Sequence, residues 1–302
     1  QGFVISKPED KVVLLLTLLV CSVSSRGQGL LDVLNESEEP VTVPVSATFK
    51  DTRIVNVQSN ETPGSGVLHF VIAHRFGTLS SGAYDLWGLD NAQMRMGLDY
   101  GLTDRFAIGV ARNTYQKTYE VNAKARVLRQ STGPKAFPFS LSWYSVMMVN
   151  GLKASQEYSP YYFTHRLSYV HQAILTRKFN ERLSLALVPS FVHRNFVEAT
   201  GDKHDMFLIG GGGRYKLGPR FSINAEYHHR LTPAFALGAS PSLSIGVDIE
   251  TGGHVFQLHM TNARGMFERS FLAEPAGSWA NGDIYFGFNL SRVFQLKTNS
   301  EG

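Results

Sequence analysis

The stretch Asn91-Ala92-Gln93-Met94-Arg95-Met96-Gly97-Leu98-Asp99-Tyr100 alternates with a period of two. Ala92, Met94, Met96, Leu98 and Tyr100 fall on one side, and Gln93, Arg95, Gly97 and Asp99 on the other. Successive side chains of an extended chain point to opposite faces, so this segment reads as a strand with one greasy and one polar face. It is longer than the roughly five or six residues of an average globular strand.

The same pattern recurs on both sides of it. Leu68, Phe70 and Ile72 oppose His69, Val71 and Ala73, and Phe106, Ile108 and Val110 oppose Ala107, Gly109 and Ala111. Further alternating runs lie at 119–127, 139–144, 183–191, 221–228, 243–250, 255–260 and 284–290, with noisier ones at 165–179 and 205–217. The total is about twelve strands, an even number, as single-chain bacterial membrane barrels require. Their connections alternate in length. Long ones cover 77–90, 151–164, 195–204, 231–240 and 263–282, and short ones include 102–105, 180–181, 218–219 and 252–253. Two break the alternation: Gln116-Lys117 is short on the long side, and 131–137 is long on the short side. Long loops on one rim and tight turns on the other mark an outer-membrane barrel. His74, Arg112, Arg129, His229 and Arg292 fall on the greasy face near strand ends, where long polar side chains reach the headgroups. The predicted fold is therefore all-β, an up-and-down antiparallel transmembrane barrel.

Composition agrees. Charged residues make up 18% of the chain, against about 25% in soluble proteins, while aromatics reach 12%. A net charge of +4, with Lys and Arg scattered, excludes nucleic acid as a partner class. The segment Val12–Val20 follows Lys11 and precedes Ser22, Ser24, Ser25 and Gly27, the order of a secretory signal; it is too short for a membrane helix. Residues 1–27 are expected to be a cleaved signal peptide, 28–66 a periplasmic leader or lumen plug, 67–297 the barrel and 298–302 a polar tail. Within 28–66, Thr52–Val57 has the composition of an extra strand. The only cysteine, Cys21, lies in the signal, so disulfide and cysteine-based zinc sites are excluded from the mature chain.

If the greasy face meets lipid, the other face lines the lumen. Parity puts Arg75, Arg95, Lys124, Arg126, Arg214 and Arg230 there, with Asp99, Glu120, Glu226, Asp248 and Glu250. Tyr144, His228 and His259 join them, as do His69 and Gln257. The signs nearly balance, which argues against a strongly ion-selective pore. Two readings stay open: a structural network of paired buried charges, or a polar pathway. No metal site is expected. His228 and His229 point to opposite faces, and His228, His259 and Glu226 meet only if neighbouring strands set them level. Gly210–Gly213 lacks the Lys-Ser or Lys-Thr of a phosphate loop and reads as a kink or thin wall. There is no Gly-x-Ser-x-Gly elbow, and His229 and His193 have no serine beside them on the greasy face, so no catalytic residue and no cofactor is expected.

The blocks His74-Arg75-Phe76-Gly77, Leu86-Trp87-Gly88-Leu89-Asp90 and Met96–Asp104 resemble an uncharacterised family of bacterial outer-membrane β-barrels. So do Tyr169-Val170-His171-Gln172, Arg177-Lys178-Phe179 and Val192-His193-Arg194-Asn195. The resemblance covers most of 48–296 and implies a barrel in the outer membrane, with no known activity. The chain departs from many barrels in that Phe294 is followed by a polar tail. The expected function is a passive or weakly selective channel for small solutes, not an enzyme, with outer-membrane lipid as its surroundings. The alternative is a structural or docking barrel whose loops bind a protein partner that the sequence does not name.

Overall fold

The computed structural model describes residues 41–153, 160–197, 201–232, 240–274 and 277–297. The expected signal peptide and the tail 298–302 lie outside the described residues. The chain divides into two units, 1–43 with 132–136, and 44–131 with 137–302. Within the smaller unit, the Lys135 N–H donates to Thr42 Oγ1 at 3.2 Å.

The larger unit is a closed barrel of twelve antiparallel strands. They are β1 (Val67–Thr78), β2 (Ala92–Gly101), β3 (Phe106–Asn113), β4 (Tyr119–Leu128), β5 (Ser140–Val149) and β6 (Leu167–Lys178). Then follow β7 (Leu183–Arg194), β8 (Asp205–Lys216), β9 (Phe221–Arg230), β10 (Ser242–Thr251), β11 (His254–Thr261) and β12 (Tyr285–Gln295). Each strand pairs with its neighbours in sequence, and β12 closes on β1 with Leu290 opposite Ile72 and Phe288 opposite His74. Closure leaves no sheet edge unpaired, which is what a strand protein needs inside a bilayer.

Parity behaves as the sequence predicts. On β3, Phe106, Ile108, Val110 and Arg112 are exposed, while Ala107, Gly109, Ala111 and Asn113 are buried. Outward charges sit on aromatic rings near strand ends: the Arg112 guanidinium lies 5.4 Å from the Tyr119 ring centre, and that of Arg292 lies 4.9 Å from Phe294.

Thr52–Val57 does not form an extra strand. The segment bends back on itself, with a single bridge between Arg53 and Gln58. A closed barrel offers no edge for it to join, and its amides bond elsewhere, as described below. The short connection at Gln116-Lys117 also has a physical reason. It leaves room for the loop after β11 to fold over it, where Gln116 Nε2 donates to Glu274 Oε1 at 3.2 Å and Tyr115 packs 6.1 Å from Phe267.

Candidate functional site in the barrel interior

Two pieces of chain fill the space inside the wall. Residues 45–62 occupy it from the rim of short turns. Both ends of this segment are held at that rim, by Val45 N–H donating to Gln130 O at 2.7 Å and Gly66 N–H to Gly101 O at 2.9 Å. From the rim of long loops comes the connection after β11, which carries the short helix α1 (Glu268–Ala273). Phe267, Glu268, Phe271 and Leu272 of this loop are all 1% exposed or less.

Ten of the fourteen lumen candidates are buried, Asp99, Arg126, Arg230 and Glu250 are half-buried, and most of the fourteen touch this filling. Glu226 is the clearest case. Its Oε2 accepts the backbone N–H of Val55 (3.2 Å), Asn56 (3.0 Å) and Val57 (3.0 Å), and Oε1 also faces Asn56 N at 3.0 Å. Three consecutive amides converging on one carboxylate satisfy both partners away from water. Cations of the wall take the carbonyls. Lys124 Nζ donates to Thr52 O (3.1 Å) and Glu61 O (2.8 Å), and also to Gln58 Oε1 (3.1 Å). Arg126 Nε reaches Asn60 O at 3.4 Å, and Arg214 Nη1 reaches Ala47 O at 3.3 Å and Thr48 O at 3.4 Å. Gln257 donates to Ile54 O, and Asn289 to Val55 O.

Arg75 links both insertions. Its Nη1 donates to Ala263 O (2.8 Å) and Gly265 O (3.0 Å) of the loop, and its Nη2 to Asn56 Oδ1 of the segment (2.7 Å). His259 Nε2 stands 3.2 Å from the same Nη2. His228 instead packs its ring 5.5 Å from Phe271. Arg95 and Glu120 form a two-pronged pair at 2.8–2.9 Å. Asp99 accepts from Asn122 at 3.2 Å. Asp248 accepts from Gln257 and Ser222, Glu250 pairs with Lys50, and Arg230 donates to Ser240 O and Glu274 O. Asp51 of the segment meets His69 Nε2 at 2.8 Å. Burial pushes its carboxyl up, but the charge and hydrogen bond of His69 outweigh that and hold it at about 2.

Tyr144 belongs to a different region. One half of the inner wall is apolar: Val146 and Met148 on β5, Val170 and Ile174 on β6, Val188 and Val192 on β7, and Leu208 on β8. Phe49, Ile54 and Val57 of the segment and Phe267, Phe271 and Leu272 of the loop pack against it. Burying each such side chain is worth about 2 kcal/mol. Strict alternation hid this patch, because β6 and β8 are apolar on both faces there.

The glycine run also has its explanation here. A Cβ on Gly210 would lie 2.4 Å from the His228 ring, and one on Gly212 would lie 2.7 Å from Ile54 Cδ1. The wall is thin where the segment presses against it. A cavity of about 400 Å³ remains beside the segment at the short-turn rim, with Lys50, Asp51, His69, Glu250 and His254 in its lining.

On the outer face, one pair escaped the sequence reading. Ser145 of β5 lies 2.9 Å from His171 Nδ1 of β6, and Trp143 Nε1 donates to Ser145 Oγ at 2.9 Å. The three are mid-strand, so they satisfy one another's polar atoms away from both rims. A serine and a histidine on neighbouring strands can be matched only once the register, here Ser145 opposite His171, is known.

A closed twelve-stranded wall with an apolar exterior and a hydrogen-bonded interior defines a membrane-spanning β-barrel protein. Residues 49–294 match the family described as membrane bound beta barrel domain (DUF5777), and the chain belongs to that family. The match begins within the inserted segment and covers its residues 49–62. No curated protein matches the sequence. Solved structures similar to the chain include the NanC porin, at 8% identity and TM-score 0.47 over 76% of this chain and 100% of that one. The KdgM porin is similar at 8% identity and TM-score 0.46, covering 76% and 99%, and Omp33 of Acinetobacter baumannii at 12% and 0.39, covering 75% and 97%.

Proposed function

We propose that the protein is an outer-membrane channel for small solutes that its own residues 45–62 hold shut. The observation that carries this reading is the Glu226 carboxylate, which grips three consecutive amides of the segment. A wall that held only water would have no use for such a grip. In this reading residues 1–27 are removed on export, 28–66 form a leader whose second part is the plug, and 67–297 are the wall. The short turns face the periplasm, the long loops face outward, and the protein carries out no covalent chemistry.

Planar-bilayer recordings test it. The wild type is expected to be closed most of the time. Glu226→Gln weakens the grip by the worth of a charge-assisted bond, roughly 1.5–3 kcal/mol, and should raise the open probability about tenfold or more. A folded Glu226→Gln barrel that stays silent would sink the channel reading. The second reading, a non-transporting structural or docking barrel, would then take its place. It is favoured by Phe267, Phe271 and Leu272, which fill the interior from the opposite rim.

A further inference from the structure

The contacts on residues 45–62 are unusual in what they recognise. Wall side chains bond mainly to the main chain: amides to Glu226, carbonyls to Lys124, Arg126, Arg214, Gln257 and Asn289. Main-chain contacts of this kind do not depend on which side chains a peptide carries. Selectivity comes from a few places. His69 takes Asp51 at 2.8 Å, and Glu268 takes Arg53 at 2.7 Å. The notch over Gly212 takes Ile54. Arg75 and Ser244 take the side-chain amide of Asn56, at 2.7 and 2.8 Å. The apolar wall takes Val57, which is 0% exposed. Between this loop and β1 lies the short stretch Pro63-Gly64-Ser65-Gly66, which tethers the loop to the wall.

From this geometry we infer that the barrel interior is a peptide-binding site, occupied in this structure by a tethered ligand. Its ligand class is a short peptide that bends into a tight loop and presents Asp, then two positions later Arg, followed by two aliphatic residues, Asn and a further aliphatic residue in that order. A free peptide of this kind competes with residues 45–62 for Glu226, Arg75 and Glu268. This names the ligand of the proposed channel and rests on the reading that the segment can leave the interior. Exchange is non-covalent: the amides of the outgoing loop are replaced on Glu226 by those of the incoming one, and no bond is made or broken.

The test uses the full chain with a protease recognition sequence inserted between Gly64 and Ser65. The protein is folded, cut, and washed in mild denaturant that leaves the barrel heat-modifiable on gels. The probe is a fluorescent synthetic peptide of residues 44–62. It should bind the washed barrel saturably, and bind the uncut protein about tenfold more weakly or less, because the tethered segment competes. An N56L peptide gives up the bonds to Arg75 and Ser244 and should bind about tenfold more weakly than the parent. A scrambled peptide of the same composition that binds equally well would overturn the proposal. Conductance of the same washed barrel separates the two claims. If washing opens a current but no peptide binds or blocks it, the channel stands and the peptide site falls. If the cut segment never leaves and no current appears, both fall.

Discussion

Arg53 and Glu268 meet 2.7 Å apart inside the barrel, one carried in from the short-turn rim and the other from the long-loop rim. Glu268 is fully buried, and Gln58 Nε2 donates to its Oε1 at 3.1 Å. Two insertions that have no contact in sequence are thus fastened to each other, not only to the wall. Removing one partner of a buried pair leaves the other charge uncompensated, which costs about 3–5 kcal/mol. Arg53→Met and Glu268→Leu should each lower the unfolding midpoint in detergent by that order. The double variant Arg53→Met/Glu268→Leu should recover most of the loss. Additive losses in the double variant would mean that the two side chains do not act as a pair.

The glycine run offers a sharper contrast. Gly210→Ala places a methyl group 2.4 Å from the His228 ring and should destabilise by about 1–3 kcal/mol, the usual cost of overpacking. Gly211→Ala projects to the other face, where the nearest atom is 3.4 Å away, and should be neutral or mildly stabilising. Urea titrations of folding into lipid vesicles distinguish the two. Equal effects would mean that the parity of β8 is misassigned.

Acid should loosen the segment through Asp51. Its folded value of about 2 lies below its ordinary 3.8. A depressed carboxyl contributes stability that is complete above about pH 4 and is lost as pH falls toward 2, here roughly 2.5 kcal/mol. Wild type and Asp51→Asn should therefore differ most near neutral pH and converge near pH 2. The difference in their unfolding midpoints across that range is the measurement, and a constant offset would contradict the assignment.

On the outer face, Ser145→Ala removes the hydroxyl shared by Trp143 and His171. Polar atoms left without partners in hydrocarbon cost about 1–3 kcal/mol. Ser145→Ala combined with His171→Phe and Trp143→Phe leaves none of them and should be close to neutral in the same vesicle titration. A triple variant as unstable as the single one would remove this account of the pair.

These residues also show how far the sequence could be read. The wall was legible because lipid and interior impose opposite chemistry on successive residues, as at Met96, Gly97 and Leu98. The filling was not. Thr52–Val57 has strand composition, yet its amides bond to Glu226, a residue about 170 positions away that no local pattern can connect to it. Val170 and Ile174 blurred the period of β6 because they belong to the apolar cluster that the filling completes rather than to a polar lumen. The loop after β11 read as one long connection among several. The cluster Phe267, Phe271 and Leu272 within it was the one signal that it turns inward, since a loop in water has no reason to hold three such side chains.

The segment 45–62 enters and leaves by the same rim, with Val45 and Gly66 both tied to the short-turn side. Among the described residues, the chain on either side of this segment stays at that rim. On the proposed reading, the segment would withdraw as a finger leaves a thimble, without parting the seam between β12 and β1, while the loop after β11 stays in place. The segment and the wall are separable in the topological sense, because a single rim holds both ends of the segment.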